Sequence, residues 1–321
     1  MTSDPGAADE FLRAATHALR GSDASDALDA LGWWQLLDDL TDVESRTAVF
    51  ALFRAEGREL AGTPALGGLM AQPYRPLLDG APGPVVATIP RESPRRGRVA
   101  VVVGDPAGAR LLVDRPGWGA WVGEAADLDL RAVDLPGRLV VHEVSVDGMR
   151  WEATISDADA ASVRDRSVFL GRVAVALEIL GAAEGALALA VEHAQAREQF
   201  GQPIARFQAV RHLLAWATTD CTAVDRVATE AVALDTSAPA RYGEMTKALA
   251  GRNGRRACER ALQVLGAIGF TAEHDHHHFY SRVLALDSLL GASAALTCEL
   301  GTWRREQRDA SRVPSAMLLA R

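Results

Sequence analysis

The sequence predicts a mainly α-helical protein with a small β domain set between two helical regions. Three observations predict it. Apolar residues recur three and four apart near the start of the chain and again through its second half, which is the spacing of helices with one buried face. Between these regions, prolines alternate with short β-branched runs. Hydrophobic residues make up 48% of the 321 residues, enough for a large core and for two or three domains. The expected division is a helical domain over 1–72, a reduced β domain over 73–155 and a helical bundle over 156–321.

In the first region, Phe11, Leu12, Ala15, Ala18 and Leu19 share a helical face, and Leu28, Leu31, Leu36, Leu37 and Leu40 form a second pattern. Ala48 to Leu60 gives a third helix, which Thr63-Pro64 interrupts. In the second region the expected strands are Val85–Ile89, Val99–Val103, Arg110–Val113 and Leu139–Val144, with turns at Gly104-Asp105-Pro106 and Arg115-Pro116-Gly117. Beyond Asp159 the elements are long. Ser167 to Arg197 reads as one helix. Phe207, Val210, Leu214, Ala217, Cys221, Val224, Ala228 and Ala231 mark the buried stripe of a second. A third starts at Pro239, and the segments His276–Leu290 and Ala292–Arg308 complete a bundle.

Composition excludes several functions. Net charge is −8, from 34 basic and 42 acidic side chains, which argues against nucleic acid as a partner. Met1 to Glu10 is polar and acidic, unlike a signal peptide, and the apolar stretch Gly181–Val191 is interrupted by Glu184, so no membrane span is expected. Cys221, Cys258 and Cys298 are too far apart to suggest a disulfide framework or zinc site, and they read as small core residues of a reduced, cytoplasmic protein. Glu273-His274-Asp275-His276-His277-His278 invites a metal reading. Adjacent histidines on a helix point in different directions, so solvated or interface histidines and no metal are expected. Arg91 to Arg98 reads as a solvated basic turn.

Two blocks carry chemistry. The first is Arg197-Glu198-Gln199-Phe200-Gly201-Gln202-Pro203-Ile204-Ala205-Arg206-Phe207-Gln208. Its guanidinium can fork onto a phosphate oxygen, and Gln199 and Phe200 add an amide and an apolar face. The second is Gln263-Val264-Leu265-Gly266-Ala267-Ile268-Gly269-Phe270, whose glycines let backbone amides approach a phosphate. Together, and in this order, the blocks resemble the C-terminal domain signatures of the acyl-CoA dehydrogenases. The resemblance is strong over Ser167–Gly291 and architectural elsewhere. It implies that Arg197, Gln199, Phe200, Phe207, Gln263, Gly266, Ala267 and Gly269 touch the adenine and diphosphate end of FAD, a FAD whose ring sits in a neighbouring subunit. Ala267 departs from the usual second glycine but keeps its backbone amide.

The resemblance also exposes losses. The family removes an α-proton with a glutamate in a Tyr-Glu-Gly-Thr-like element, which falls here on Leu289-Leu290-Gly291-Ala292. The glutamate position is Leu290, and leucine accepts no proton. The alternative family position, on the first long helix of this domain, falls near Gly171 beside Arg172. Glu178 and Glu184, on later turns, read as solvated. No Trp-[Ile/Val]-[Thr/Ser]-Asn strand covering a flavin is found, and Trp118, Trp121 and Trp151 read as core or interface aromatics. No catalytic residue is therefore assigned. The chain resembles the small, base-less subunit of an actinobacterial α2β2 acyl-CoA dehydrogenase acting on sterol side-chain CoA thioesters. Such a subunit implies a larger catalytic partner, an acyl-CoA in the partner's site, and an electron-transfer flavoprotein or similar acceptor. Two alternatives stay open: a self-contained homotetrameric dehydrogenase with an unrecognised base, and a catalytically silent acyl-CoA or protein-binding scaffold.

Overall fold

The computed structural model describes residues 5–21, 24–78, 83–93, 97–146, 154–234 and 240–306. The expectations for Trp151, the Pro94–Arg96 centre of the basic turn, Pro82, Pro239 and the residues after 306 lie outside these.

The chain begins with helices α1 (Pro5–Gly21), α2 (Ala24–Ala30), α3 (Trp33–Leu36), α4 (Val43–Glu59) and α5 (Ala65–Ala71). Asp42 starts α4 because its carboxylate accepts the otherwise orphaned amide of Ser45 at 2.8 Å. Leu60, at φ 53°, ends it in a left-handed turn. Every residue of α5 is buried, and the 3₁₀ segment that follows, Gln72–Leu77, carries the buried Tyr74.

Strands β1 (Val85–Ala87), β2 (Ile89–Ser93), β3 (Gly97–Val103), β4 (Arg110–Arg115), β5 (Gly119–Glu124), β6 (Arg131–Leu135) and β7 (Leu139–Ser145) form two sheets, ordered β1-β4-β5 and β2-β3-β7-β6. The run Val85–Ile89 divides at Thr88, whose amide donates to Leu112 O at 2.9 Å, so one apolar run feeds both sheets. Most of β2 escaped the sequence reading, which placed Arg91 and Arg98 in a turn where the structure puts them on the paired strands β2 and β3, and so did β5 and β6. Gly123 interrupts β5, and Arg131 and Asp134 break up β6, so neither shows an unbroken β-branched run.

The C-terminal part opens with α6 (Asp157–Ala196), begun ten residues before the expected Ser167 by the cap Ser156, whose hydroxyl accepts Asp159 N at 3.2 Å. A small hairpin, β8 (Glu198–Gln199) and β9 (Gln202–Pro203), leads to α7 (Gln208–Ala233), α8 (Ala240–Leu265), α9 (His276–Asp287) and α10 (Ser293–Glu306). By length and apolar composition α6 could cross a bilayer, but 72% of its most apolar window is buried inside the protein. Glycines fix how α6 meets its neighbours. A Cβ on Gly57 would lie 2.0 Å from Glu178 O, and one on Gly181 would lie 2.1 Å from Arg54 O, so α4 and α6 touch backbone to backbone. Gly243 lies against Phe169 and Gly254 against Ile179, so α6 and α8 run parallel and end at the same face of the bundle. Gly251 lies against Asp287 and Gly254 also meets Val283, so α9 returns antiparallel.

Burial corrects three expectations and, at Trp118, removes the core half of a fourth. Glu178 is 1% exposed and ion-paired to Arg282, and Glu184 is held by Arg54 and Arg58, so neither is solvated. Cys298 is exposed, whereas Cys221 and Cys258 are buried. His276 is buried and its Nε2 bonds Cys258 O at 2.9 Å, because α9 folds it inward against α8. Trp118 is 56% exposed, beneath the Arg115 guanidinium.

Candidate functional site

The family blocks meet at one end of the bundle. Arg197 ends α6, its amide on His193 O at 2.8 Å, and its carbonyl accepts Ile204 N at 2.8 Å, which closes the hairpin. Between Gln199 and Gln202 the chain turns through Phe200 at φ 52° and Gly201 at φ 75°. Both central residues are left-handed, the geometry of a type I′ hairpin, which glycine and asparagine adopt easily and phenylalanine does not. Phe200 is nonetheless there, 93% exposed, its ring edge-on to the half-buried Phe207 at 6.1 Å. Arg197 and Gln199 are also exposed, and the Gln199 amide donates to Glu198 O at 2.7 Å. The second block ends α8. Gln263 and Ala267 are exposed, and Gly266, at φ 64°, faces open space. Ile268 and Phe270 are 46% and 78% exposed. Gly269 has a packing reason of its own, since a Cβ there would stand 2.8 Å from Leu262 Cδ1. In the last turn of α6, burial lowers the His193 pKa first, then the charges of His274 and Arg197.

A second site lies at the opposite end of α6. A cleft of about 310 Å³ opens between the strands and the helices. Gly171 and Leu290, the two positions at which the family resemblance implies a base, are both at this end. A Cβ on Gly171 would come within 2.7 Å of Leu290 Cδ1, so the leucine occupies the space next to the helix backbone. Leu290 is held left-handed at φ 55°, followed by Gly291 at φ 104°. The loop carrying it is pinned from three sides. Arg172 Nε donates to Leu290 O at 3.0 Å. Lys247, the chain's one lysine and fully buried, donates to Asp287 O at 3.1 Å and Gly291 O at 3.2 Å and pairs with the Asp287 carboxylate. Ser293 bonds the same carboxylate from the other side.

Among the described residues lining the cleft, the one carboxylate is Asp114. Arg164 grips it with two bonds, at 2.5 and 2.8 Å, and Tyr74 donates its hydroxyl at 3.0 Å. Burial, then the Asp114 charge, raises the Tyr74 phenol above its ordinary range. Both oxygens of this carboxylate are thus engaged by donors of the protein itself. Sequence reasoning missed this triad, because its members lie on three elements and share no motif. Among the described residues, no three His, Cys, Asp or Glu side chains converge as metal ligands.

Comparison with known proteins identifies the relatives. Residues 165–300 match the family described as acyl-CoA dehydrogenase, C-terminal domain. The C-terminal part of the chain belongs to the acyl-CoA dehydrogenase family. Acyl-CoA dehydrogenase FadE34 of Mycobacterium tuberculosis is 31% identical over 258 residues, which is 78% of this chain and 32% of the relative. The chain spans about a third of the length of the curated relatives it matches. Solved structures share the fold over nearly their whole length. The Tcur3481-Tcur3483 steroid ACAD G363A variant superposes with TM-score 0.72 at 20% identity, over 94% of this chain and 98% of that one. The ChsE4-ChsE5 complex from Mycobacterium tuberculosis gives 0.68 at 19% identity, over 98% and 99%.

Proposed function

We propose that this chain is the base-less subunit of a heteromeric FAD-dependent acyl-CoA dehydrogenase, holding the nucleotide tail of a flavin whose ring and proton acceptor belong to a larger partner. The observation that carries the reading is Leu290 against Gly171: both places for a catalytic carboxylate adjoin each other, and both are filled without one. Arg197 and Gly171 are separated by about 39 Å along α6 at 1.5 Å per residue. One dinucleotide does not reach between them, so a FAD on the Arg197 block has its ring elsewhere.

The residues at the α6–α8 end fit that tail. They offer an exposed guanidinium, an amide, a ring face and a left-handed glycine with open space before it. Arg197 would neutralise the diphosphate, Phe200 and Phe207 would give the adenine an apolar wall, and the amides around Gly266 and Ala267 would complete the anion's hydrogen bonds. When bound, FAD accepts the hydride from the β-carbon of an acyl-CoA thioester, and in this assembly the α-proton leaves to the partner. Two fold relatives carry two-component names, and one of them is called a steroid ACAD. This favours a heteromer with the larger catalytic subunit, and a sterol side-chain CoA thioester as substrate. An electron-transfer flavoprotein would reoxidise the flavin, and the setting would be cytoplasmic.

The test is co-expression with a larger dehydrogenase subunit that retains its glutamate, followed by mass and flavin absorbance. The expected result is an α2β2 complex with one FAD per two chains and acyl-CoA-dependent turnover, against an inactive isolated chain that retains little FAD. Turnover by the isolated chain with one FAD per chain would establish the homotetramer instead. A colourless homo-oligomer, inactive with any partner, would establish the scaffold.

A further inference from the structure

Arg282 is fully buried on α9, yet it joins three regions of the molecule. Its Nε donates to Glu178 on α6 at 2.8 Å, and its Nη2 donates to both Glu178 and the Ala61 carbonyl beyond α4. Its Nη1 donates to the Arg138 carbonyl in the β6–β7 turn at 3.0 Å, and to that of Gly137 at 3.5 Å. Gly137 permits this approach, since a Cβ there would stand 2.3 Å from Arg282 N. A second buried carboxylate, Glu56 on α4, completes the group. Its Oε1 accepts the Thr63 hydroxyl, and the Thr63 amide at 3.2 Å.

Two carboxylates and one guanidinium leave one negative charge unmatched, and a dry site does not tolerate it. All the Arg282 side-chain bonds to a carboxylate go to Glu178, so Glu56 is the group that must be neutral. The charged groups facing Glu56 are Glu178 from α6 and Arg282 from α9. The Ala61–Thr63 segment and the β6–β7 turn face the cluster with carbonyls, an amide and a hydroxyl. Arg54, Arg58 and Glu184 lie farther along the α4–α6 seam, paired with one another.

We propose that Glu56, Glu178 and Arg282 form a proton-controlled latch: while Glu56 carries a proton the N-terminal helices, the sheets and the bundle are locked together, and its loss loosens the seam. The latch bears on the cleft. Thr63 Oγ1 also accepts the Ala65 amide that starts α5, and α5 with the following turn delivers Met70 and Tyr74 to the cleft wall. Burial, reinforced by the Glu178 charge, pushes Glu56 up to about 8 from 4.5. A raised carboxyl pKa means that folding takes up a proton, so stability falls as pH rises from about 4.5 to about 8 and levels off above.

Infrared spectroscopy of the full chain reads the proton directly. The expected result is a protonated-carboxyl C=O band at pH 7 that fades by about pH 9 and is absent from Glu56→Gln. Melting temperature supplies the second measurement: the wild type should lose more than Glu56→Gln between pH 6 and pH 9. A wild-type spectrum without the band at pH 7, or parallel melting profiles in the two proteins, would overturn the latch. The wild-type spectrum decides even if the variant does not fold.

Discussion

The two ends of α6 differ in what their polar groups do. At the Leu290 end, Arg164, Asp114, Tyr74, Arg172 and Lys247 spend their hydrogen bonds on one another and on the chain. At the Arg197 end, a guanidinium, an amide and three apolar side chains stand exposed, and a phenylalanine holds a backbone conformation that costs about 1 kcal/mol or more. Leu290 holds a similar left-handed φ at the first end, but its carbonyl is bonded by Arg172, whereas the Phe200 ring stands in solvent. The contrast is between an end whose polar groups are spent inside the protein and an end whose groups stand exposed for the proposed flavin tail.

The sharpest way to break this comparison is to treat the cleft triad as functional. Asp114→Ala should cost about 2–3 kcal/mol of stability by leaving Tyr74 without its acceptor and Arg164 with Asp157 alone, measured by urea unfolding. FAD retention by the assembled complex should be unchanged once the protein is folded. Lost flavin with normal stability would show that the cleft is a working site.

Arg197→Ala is the reciprocal test. An exposed side chain outside the core should shift unfolding by less than about 0.5 kcal/mol. FAD dissociation from the complex should rise roughly tenfold or more, since a desolvated phosphate loses its charge-assisted partner. Phe200→Gly separates strain from purpose. Glycine is at ease at φ 52°, so the free chain should be as stable as the wild type or better by up to about 1 kcal/mol, while flavin retention or heteromer affinity falls. A loss of stability in that variant would mean that the ring supports the hairpin through Phe207 and is not offered outward.

How much of this was legible depended on sequence distance. The layout of helices, strands and bundle followed from periodicity, and the Arg197 and Gln263 blocks are local enough to read and prove to share one end of the molecule. Leu290 was found because it falls in a fixed place after a motif. What joins remote elements was not legible. Glu178 looked like a solvated helix residue because nothing near it reveals Arg282, which lies 104 residues away. Tyr74, Asp114 and Arg164 are ordinary residues until the sheets bring them together. Thr88 could not be seen to split a β-branched run, because the split is made by its bond to Leu112 on another strand.

The smallest effect expected is a pH dependence that belongs to the Arg197 end. Burial lowers the His276 pKa, opposed by the bond of its ring nitrogen to Cys258 O. A histidine whose folded pKa lies below its unfolded value of 6.5 binds fewer protons folded than unfolded, so stability declines as pH falls through 6.5 toward the folded value. His276→Gln, which can still donate to that carbonyl, should flatten the melting curve between pH 7 and pH 5.5 and leave the alkaline side as it was. The Glu56 latch weakens in the opposite direction, from about pH 4.5 to about pH 8, so across their shared window the two variants should change the slope of the stability profile with opposite sign. If His276→Gln left the acid limb unchanged, the junction of α8 and α9 behind the second block would not be sealed against protons, and the α6–α8 end would be looser than its buried histidine suggests.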